Sequence, residues 1–171
     1  MQCLRAAKTA NRVLCMIRRT FTCKDEQTIT QLYKSLVRPH LEYCIQAWRP
    51  YLSKDIEMLE KRYKDVPTKM VYGFNDLTYE QRLKRLNITT LETRRLRGDL
   101  IEVFKIVKGV DNVDFRKFFH LSTTGLSSHS LKIFQPSFKH DVRKYTFPNR
   151  IIDSWNRLPE DIITCESLDN F

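Results

Sequence analysis

The sequence predicts a mainly α-helical fold, a bundle of five or six helices with a small β-containing segment near the C-terminus. Apolar residues recur at helical spacing through most of the first 110 residues. The 171-residue chain has only 4 glycines and 6 prolines, which argues against a disordered chain and against a turn-rich all-β fold. Its hydrophobic fraction of 42% is enough to form a buried core.

The first 24 residues predict an amphipathic helix with a basic outer stripe. Its apolar face is formed by Ala6, Ala10, Val13, Leu14, Ile17 and Phe21. The segment carries six basic side chains and no acid. Four of these cations, on the side opposite the apolar face, are our candidate nucleic-acid-binding residues: Arg5, Lys8, Arg12 and Arg19. A stripe with no local acid to pair with has the charge arrangement that phosphate contacts require.

Two further helices are expected before residue 70. The first begins after Thr22 as N-cap, is kinked by Pro39 and continues to Trp48. Its apolar stripe is predicted to be Ile29, Leu32, Tyr33, Leu36, Val37 and Leu41, continued by Cys44 and Ile45. The second begins at Ser53 and is interrupted by Pro67.

A short helix over 79–86 and a longer one after it complete the predicted bundle. The run from Thr89 to Glu92 has the pattern of a capping box, which marks the start of the longer helix. Its buried face is predicted to be Leu96, Leu100, Val103, Phe104 and Val107. Gly109 then supplies the C-terminal stop.

The composition changes after Gly109, which predicts a helical thumb-like region over 1–110 and an α+β segment over 111–171. Short β-prone runs at 131–134 and 143–147 predict the small β segment. Asn149 is expected to cap a last helix over 150–157. That helix holds the Trp-Asn-x-Leu-Pro motif, which ends at Pro159.

Several classes of function are excluded by what the sequence lacks. Its longest apolar run, 13–17, is far shorter than the roughly 20 residues of a membrane span, and charged residues break any secretory signal. Five irregularly spaced cysteines are typical of reduced thiols in an intracellular protein. The common phosphate-binding and hydrolase motifs are absent, as are adjacent aspartates. We therefore predict no catalytic residue, no metal, no cofactor and no membrane contact.

The remaining polar and aromatic clusters have ordinary structural interpretations. Asp111 and Asp114 are expected in a solvated loop rather than a metal site. Three arginines at the start of the longer helix are expected to be surface residues partly paired with nearby acids: Arg94, Arg95 and Arg97, with Glu92, Asp99 and Glu102. Seven aromatics are expected to be mostly core, with base stacking as the alternative: Trp48, Tyr51, Tyr72, Phe74, Phe118, Phe119 and Trp155.

A series of short segments, in order along nearly the whole chain, carries a family resemblance. The early segments are Leu32-Tyr33-Lys34-Ser35-Leu36-Val37-Arg38-Pro39-His40-Leu41-Glu42-Tyr43, Ala47-Trp48, Leu59-Glu60-Lys61 and Thr68-Lys69-Met70. The later ones are Tyr79-Glu80-Gln81-Arg82-Leu83, Thr90-Leu91-Glu92 with Arg94-Arg95, and Asn149-Arg150-Ile151-Ile152-Asp153-Ser154-Trp155-Asn156-Arg157-Leu158-Pro159. In this order and spacing the chain resembles the region after the catalytic palm in jockey-like non-LTR retrotransposon reverse transcriptases.

The resemblance implies a fragment of an RNA-directed DNA polymerase, thumb plus C-terminal region, that is inactive alone. In the family the polymerase carboxylates lie upstream, so no residue here is carried over as catalytic. A thumb grips the template–primer duplex by its backbone, which implies RNA or an RNA/DNA duplex as partner and slightly favours the nucleus. The chain departs from the family between Arg62 and Pro67, where it is one residue longer, and both ends are expected to be truncated.

Two other functions stay open at this point. A helical adaptor would bind a protein partner through apolar helix faces that the missing palm leaves exposed. A non-functional translated remnant would explain the irregularity before Pro67. Salt dependence separates nucleic-acid binding from the adaptor, because phosphate contacts weaken with salt and apolar association does not.

Overall fold

The computed structural model describes residues 2–122 and 129–168, with the backbone alone for 61–68. The fold is mainly helical, as the sequence predicts. The chain forms two compact units, Met1–Arg95 and Leu96–Phe171. The proposed division of function near residue 110 stays a prediction.

The first unit is an array of helices around one apolar core. Its helices are α1 (Gln2–Thr20), α2 (Glu26–Leu32), a π-helix (Tyr33–Val37), α3 (Arg38–Glu42), α4 (Ile45–Trp48), α5 (Ser53–Lys69), α6 (Tyr79–Arg85) and the start of α7 (Leu91–Val107). α1 packs against the π-helix, α3 and α5. Its buried face is Ala6, Ala7, Ala10, Leu14 and Ile17, which confirms the predicted apolar side. The run of alanines lets the neighbouring helices approach closely.

The second helix begins later than predicted and contains an irregular turn. Asp25, not Thr22, is its N-cap, and the Asp25 carboxylate accepts the Thr28 N–H at 2.8 Å. The π-helix ends at Val37, and Pro39 lies in the first turn of α3, where its missing N–H is tolerated. The expected kink is thus taken up by a change of helix type. This turn also places Leu36 at the surface, so its predicted burial is wrong.

The helix does not continue smoothly to Trp48. Cys44 adopts a left-handed conformation with φ 54°, which ends α3 and starts α4, and its side chain is exposed. The prediction that Pro67 interrupts the next helix is also wrong, because α5 runs to Lys69. A proline this close to the C-terminal end removes a single hydrogen bond, and the helix has little further to run.

The cap assignments around α6 and α7 differ from the predicted ones. The capping box is at Thr78 and Gln81, where each side chain bonds the backbone N–H of the other residue. The predicted box at 89–92 does not form. Thr90 caps α7 instead, and its hydroxyl accepts the Thr93 N–H at 3.2 Å.

The second unit starts within α7 and ends in short helices. They are a 3₁₀ turn (Phe115–Lys117), α8 (Asp141–Lys144), α9 (Phe147–Arg150), α10 (Ile152–Asn156) and α11 (Glu160–Thr164). Gly109 ends α7 as predicted, with φ +67°. The Gly109 N–H bonds to Ile106 and the Val110 N–H to Lys105, the paired bonds of a Schellman cap. The core includes Val103, Phe104, Phe119 and Trp155.

The predicted small β segment is not confirmed in the described residues. Leu121 and Ile133 form one isolated antiparallel bridge. The Asn156 side chain forms the hydrogen bonds to Ile133 that a third strand would form. Its amide oxygen accepts the Ile133 N–H at 2.9 Å, and its amide nitrogen donates to the Ile133 carbonyl at 2.8 Å. The run 143–147 is instead divided between α8, α9 and the turn joining them.

The last predicted helix is broken into pieces. Asn149 lies inside α9, and its amide donates to the Arg143 carbonyl and to the Thr146 hydroxyl, so it is not an N-cap. α10 covers much of the expected helix, and α11 follows Pro159, where no helix was predicted. Across the described residues, no helix combines the length and apolar character that crossing a membrane requires.

Candidate nucleic-acid interface

The four predicted binding residues lie in one stripe on the outer side of α1. Successive residues of an α-helix turn by about 100°, so Arg5, Lys8, Arg12 and Arg19 fall within an arc of about 60°. The same rotation centres the buried alanines, Leu14 and Ile17 about 180° away. The contact of α1 with the core therefore turns the stripe directly towards solvent.

All four stripe side chains are exposed, and within the described part of the chain none of them forms an ion pair. The first turn of α1 contains no acid that would neutralise Arg5. The cations are therefore available to an external anion. This agrees with the absence of acids in the first 24 residues, from which the stripe is predicted.

The stripe has the length of several phosphate steps. Fourteen residue steps separate Arg5 from Arg19, about 21 Å at about 1.5 Å per residue. Phosphates along one strand of a duplex advance by about 3.4 Å per step along its axis. Side chains spaced three to seven residues apart along this line are separated by about one to three phosphate steps.

The remaining two N-terminal cations do not belong to the stripe. Arg18 lies about 100° around the helix from Arg19, and Lys24 lies in the loop after α1. Both line a pocket together with Lys69 and Tyr72. Sequence reasoning missed this pocket because its residues come from separate segments of the chain.

The arginines of α7 are not a second basic surface. Arg94 forms a two-pronged ion pair with Glu42, at 2.6 and 3.2 Å, rather than with a residue of its own helix. Arg95 is only 2% exposed, so its prediction as a surface residue is wrong. Asp99, expected to pair with these arginines, instead binds Arg150.

Arg95 belongs to the core of the first unit. Its guanidinium lies 5.9 Å from the ring centre of Trp48, and burial lowers the pKa of Arg95 from its usual range while the charge of Glu60 raises it. Glu60 is itself 6% exposed. A buried cation beside a buried acid serves the packing of these helices, and it offers no contact to an external ligand.

The acids that the structure describes show no arrangement for metal chemistry. Asp114 is the N-cap of the 3₁₀ turn, and its carboxylate accepts the Arg116 N–H at 3.0 Å. In the described ranges, no three or more His, Cys, Asp or Glu side chains are grouped closely enough to hold a metal ion. None of the five cysteines forms a disulfide.

The seven aromatics divide between core and surface. Phe74, Phe119 and Trp155 are fully buried, and Trp48 packs against the first core, as predicted. Tyr51, Tyr72 and Phe118 are exposed, Tyr72 to 71%. Tyr72 lines the pocket together with Arg18 of α1 and is therefore a stacking candidate beside a basic residue of this helix.

Comparison of the chain with protein-family models, with curated protein sequences and with solved structures finds no match.

Proposed function

We propose that the chain is the thumb-like and C-terminal part of a jockey-like non-LTR retrotransposon reverse transcriptase, and that it binds nucleic-acid duplexes without sequence preference. The observation that carries the binding proposal is the α1 stripe: four exposed cations on the side opposite the core, free of ion pairs in the described residues. The assignment to the retrotransposon family rests on the ordered sequence segments.

The positive charges of the stripe favour contacts with the phosphate backbone of a nucleic acid. Such contacts require no base-specific hydrogen bond. A phosphate neutralised by Lys or Arg releases condensed counterions, and each contact adds about 0.9 to the slope of log affinity against log salt. Four contacts then weaken binding about a hundredfold between about 50 and 200 mM salt. Affinity in the micromolar range at low salt is expected, as for other non-specific DNA binding.

The proposed piece performs no chemistry of its own. Five of its described acids cap helices or form ion pairs: Asp25 and Asp114 are caps, and Glu42, Glu26 and Asp99 bind arginines. Two-metal polymerases hold their ions about 3.5–4 Å apart between clustered carboxylates. These five carboxylates are therefore occupied by contacts that stabilise the fold.

The test is fluorescence anisotropy with a labelled RNA/DNA duplex, read over a salt titration. A variant with Arg5, Lys8, Arg12 and Arg19 all changed to Gln is compared with the parent chain. We expect the salt slope to fall by about 3 to 4, because four phosphate contacts are lost. Each single change costs little, since an exposed contact is readily replaced by a neighbour.

The matched control removes four exposed cations from the second unit. Arg116, Lys117, Lys139 and Arg157 are changed to Gln, which lowers the formal net charge of +10 by the same amount. The control variant is expected to keep most of the parent chain's slope of log affinity against log salt. Equal losses in the two variants, or an unchanged slope in the stripe variant, would show that α1 is not the nucleic-acid surface.

A further inference from the structure

A pocket of about 430 Å³ lies in the first unit, at the C-terminal end of α1. It is formed by Arg18, by Lys24 in the loop after α1, by Lys69 at the end of α5, and by the segment 70–75. A volume of this size is in the range of small-ligand sites. No acid lines it.

The two sides of the pocket differ in chemistry. Arg18, Lys24 and Lys69 supply three cations, and Arg18 and Lys24 take part in no ion pair in the described part of the chain. The C-terminal end of a helix carries about half a negative charge, which these cations exceed. The exposed Tyr72 provides an aromatic side chain, and the Asn75 amide both donates and accepts hydrogen bonds.

The acids closest in sequence to Lys24 are already engaged. Asp25 caps α2 through the Thr28 N–H, which holds the pKa of its carboxyl well below its usual range. Glu26 pairs with Arg85 at 2.7 Å. The charges of Arg18 and Lys24 are therefore available to an incoming anion.

The walls of the pocket are held in place by the core. The Tyr72 N–H donates to the Lys24 carbonyl at 3.2 Å and so joins the two loops. Val71 and Phe74 are buried on either side of Tyr72, and Arg85 lies 5.0 Å from the ring centre of Phe74. Gly73, with φ +77°, makes the turn between them, and a Cβ at this position would meet no atom within 4 Å. The backbone is thus open to close approach at this point.

We propose that this pocket binds a phosphorylated nucleotide, with the phosphate at Arg18 and Lys24 and the base on Tyr72. A nucleotide combines the charge, the planar ring and the hydrogen-bonding edge that this lining offers. Arg18 directly precedes Arg19, the last cation of the stripe, so a strand bound along α1 ends beside the pocket. The inference that a strand end occupies the pocket rests on the proposed nucleic-acid binding, whereas binding of a free nucleotide requires the pocket alone.

The first experiment is calorimetry of the full chain with AMP, adenosine or inorganic phosphate. AMP is expected to bind at least tenfold more tightly than either part alone. Changing Arg18 and Lys24 to Gln should weaken AMP at least tenfold, and Tyr72→Ala should weaken AMP while leaving phosphate unchanged. Phosphate binding as tight as AMP binding, or no AMP binding at millimolar concentration, overturns the proposal.

The charge-matched control changes Arg116 and Lys117 to Gln, which removes two exposed cations from the second unit. It should alter AMP affinity less than twofold. A loss equal to that of the Arg18/Lys24 variant would mean general attraction by a basic protein and would overturn the site. Helix content by circular dichroism is checked for every variant, and Tyr72→Phe, which keeps the ring, should restore AMP binding.

A second experiment identifies the source of the nucleotide. Single-stranded oligonucleotides carrying a 5′-phosphate, a 3′-phosphate or no terminal phosphate are compared. A gain from one terminal phosphate, lost in the Arg18/Lys24 variant only, supports a strand end in the pocket. No gain, together with AMP binding, supports a free nucleotide. If the four-cation stripe variant keeps its duplex binding, the proposed function fails, and the AMP result still decides the pocket.

Discussion

Replacing Asn156 with alanine removes the side chain that stands in for a missing strand beside Ile133. Both backbone groups of Ile133 lose their partner, at distances of 2.9 and 2.8 Å. Ile133 is only 2% exposed, so water does not readily replace the amide. Each buried group left unsatisfied costs about 1–3 kcal/mol, and we expect a total loss of about 2–6 kcal/mol from the second unit.

The assay uses the two tryptophans of the chain, one in each unit. Trp48→Phe gives a parent in which Trp155 alone reports on the second unit. For a domain of this size about 1 kcal/mol shifts the melting temperature by about 4–8 °C, so Asn156→Ala should lower it by at least about 8 °C. Asn156→Asp keeps an acceptor for the Ile133 N–H but sets a carboxylate oxygen against the Ile133 carbonyl, so its melting temperature should also fall below that of the parent.

The control is Asn112→Ala, at an exposed loop asparagine. It removes an amide of the same size without a buried partner, and its melting temperature should stay within about 2 °C of the parent. A similar small shift for Asn156→Ala would refute the reasoning, since it would mean that the Ile133 backbone groups are satisfied without this side chain.

Three further predictions follow from single contacts. Arg150→Met leaves the fully buried Asp99 carboxylate without its two-pronged partner, and should cost about 3–5 kcal/mol by urea unfolding; adding Asp99→Leu should recover most of this, and additive losses would contradict the pairing. The Thr28 N–H lowers the pKa of Asp25, so this cap stabilises α2 above the ordinary aspartate pKa of about 4 and loses that effect as pH falls through the lowered value. The substitution Asp25→Asn keeps the cap, and it should make the melting temperature depend less on pH in the acid range. An unchanged pH dependence would contradict this role of Asp25. The purified chain should give no magnesium-dependent primer extension, and extension abolished by substitution of a single acid would show otherwise.

Local signals in the sequence were sufficient for some elements. The buried face of α1 follows from its apolar spacing, because one helix places those residues side by side without help from the rest of the chain. Gly109 was equally local: a left-handed residue is needed at the end of α7, and glycine adopts it without strain.

The failures arise where a residue's own propensity does not decide the structure. The alternation at 143–147 is compatible with a strand, but a strand needs a partner, and the segment forms helical turns instead. Asn149 has the chemistry of a cap, yet its amide bonds backward to Arg143 and Thr146. A proline was expected to end α5, but the helix continues two residues past it, to Lys69.

The same distinction applies to the candidate sites. The stripe lies on one helix, so its alignment follows from spacing alone. The pocket brings together Arg18, Lys24, Lys69 and Tyr72 from three stretches of chain, and only tertiary structure places them around one cavity. Arg95 shows the converse, since a charged residue that looked like surface is buried by helices far away in sequence.

The Trp-Asn-x-Leu-Pro motif has a structural explanation that separates it from ligand binding. Trp155 is fully buried and donates its indole N–H to the Leu131 carbonyl, while the Asn156 amide bonds to Ile133. Glu160, just after the motif, accepts from the Ser130 N–H. These polar groups secure the segment 130–133 to the C-terminal helices and have little left to offer a nucleic acid. Changes in the motif should therefore lower the melting temperature of the second unit. They should leave the slope of log affinity against log salt unchanged, because the cations of α1 determine that slope.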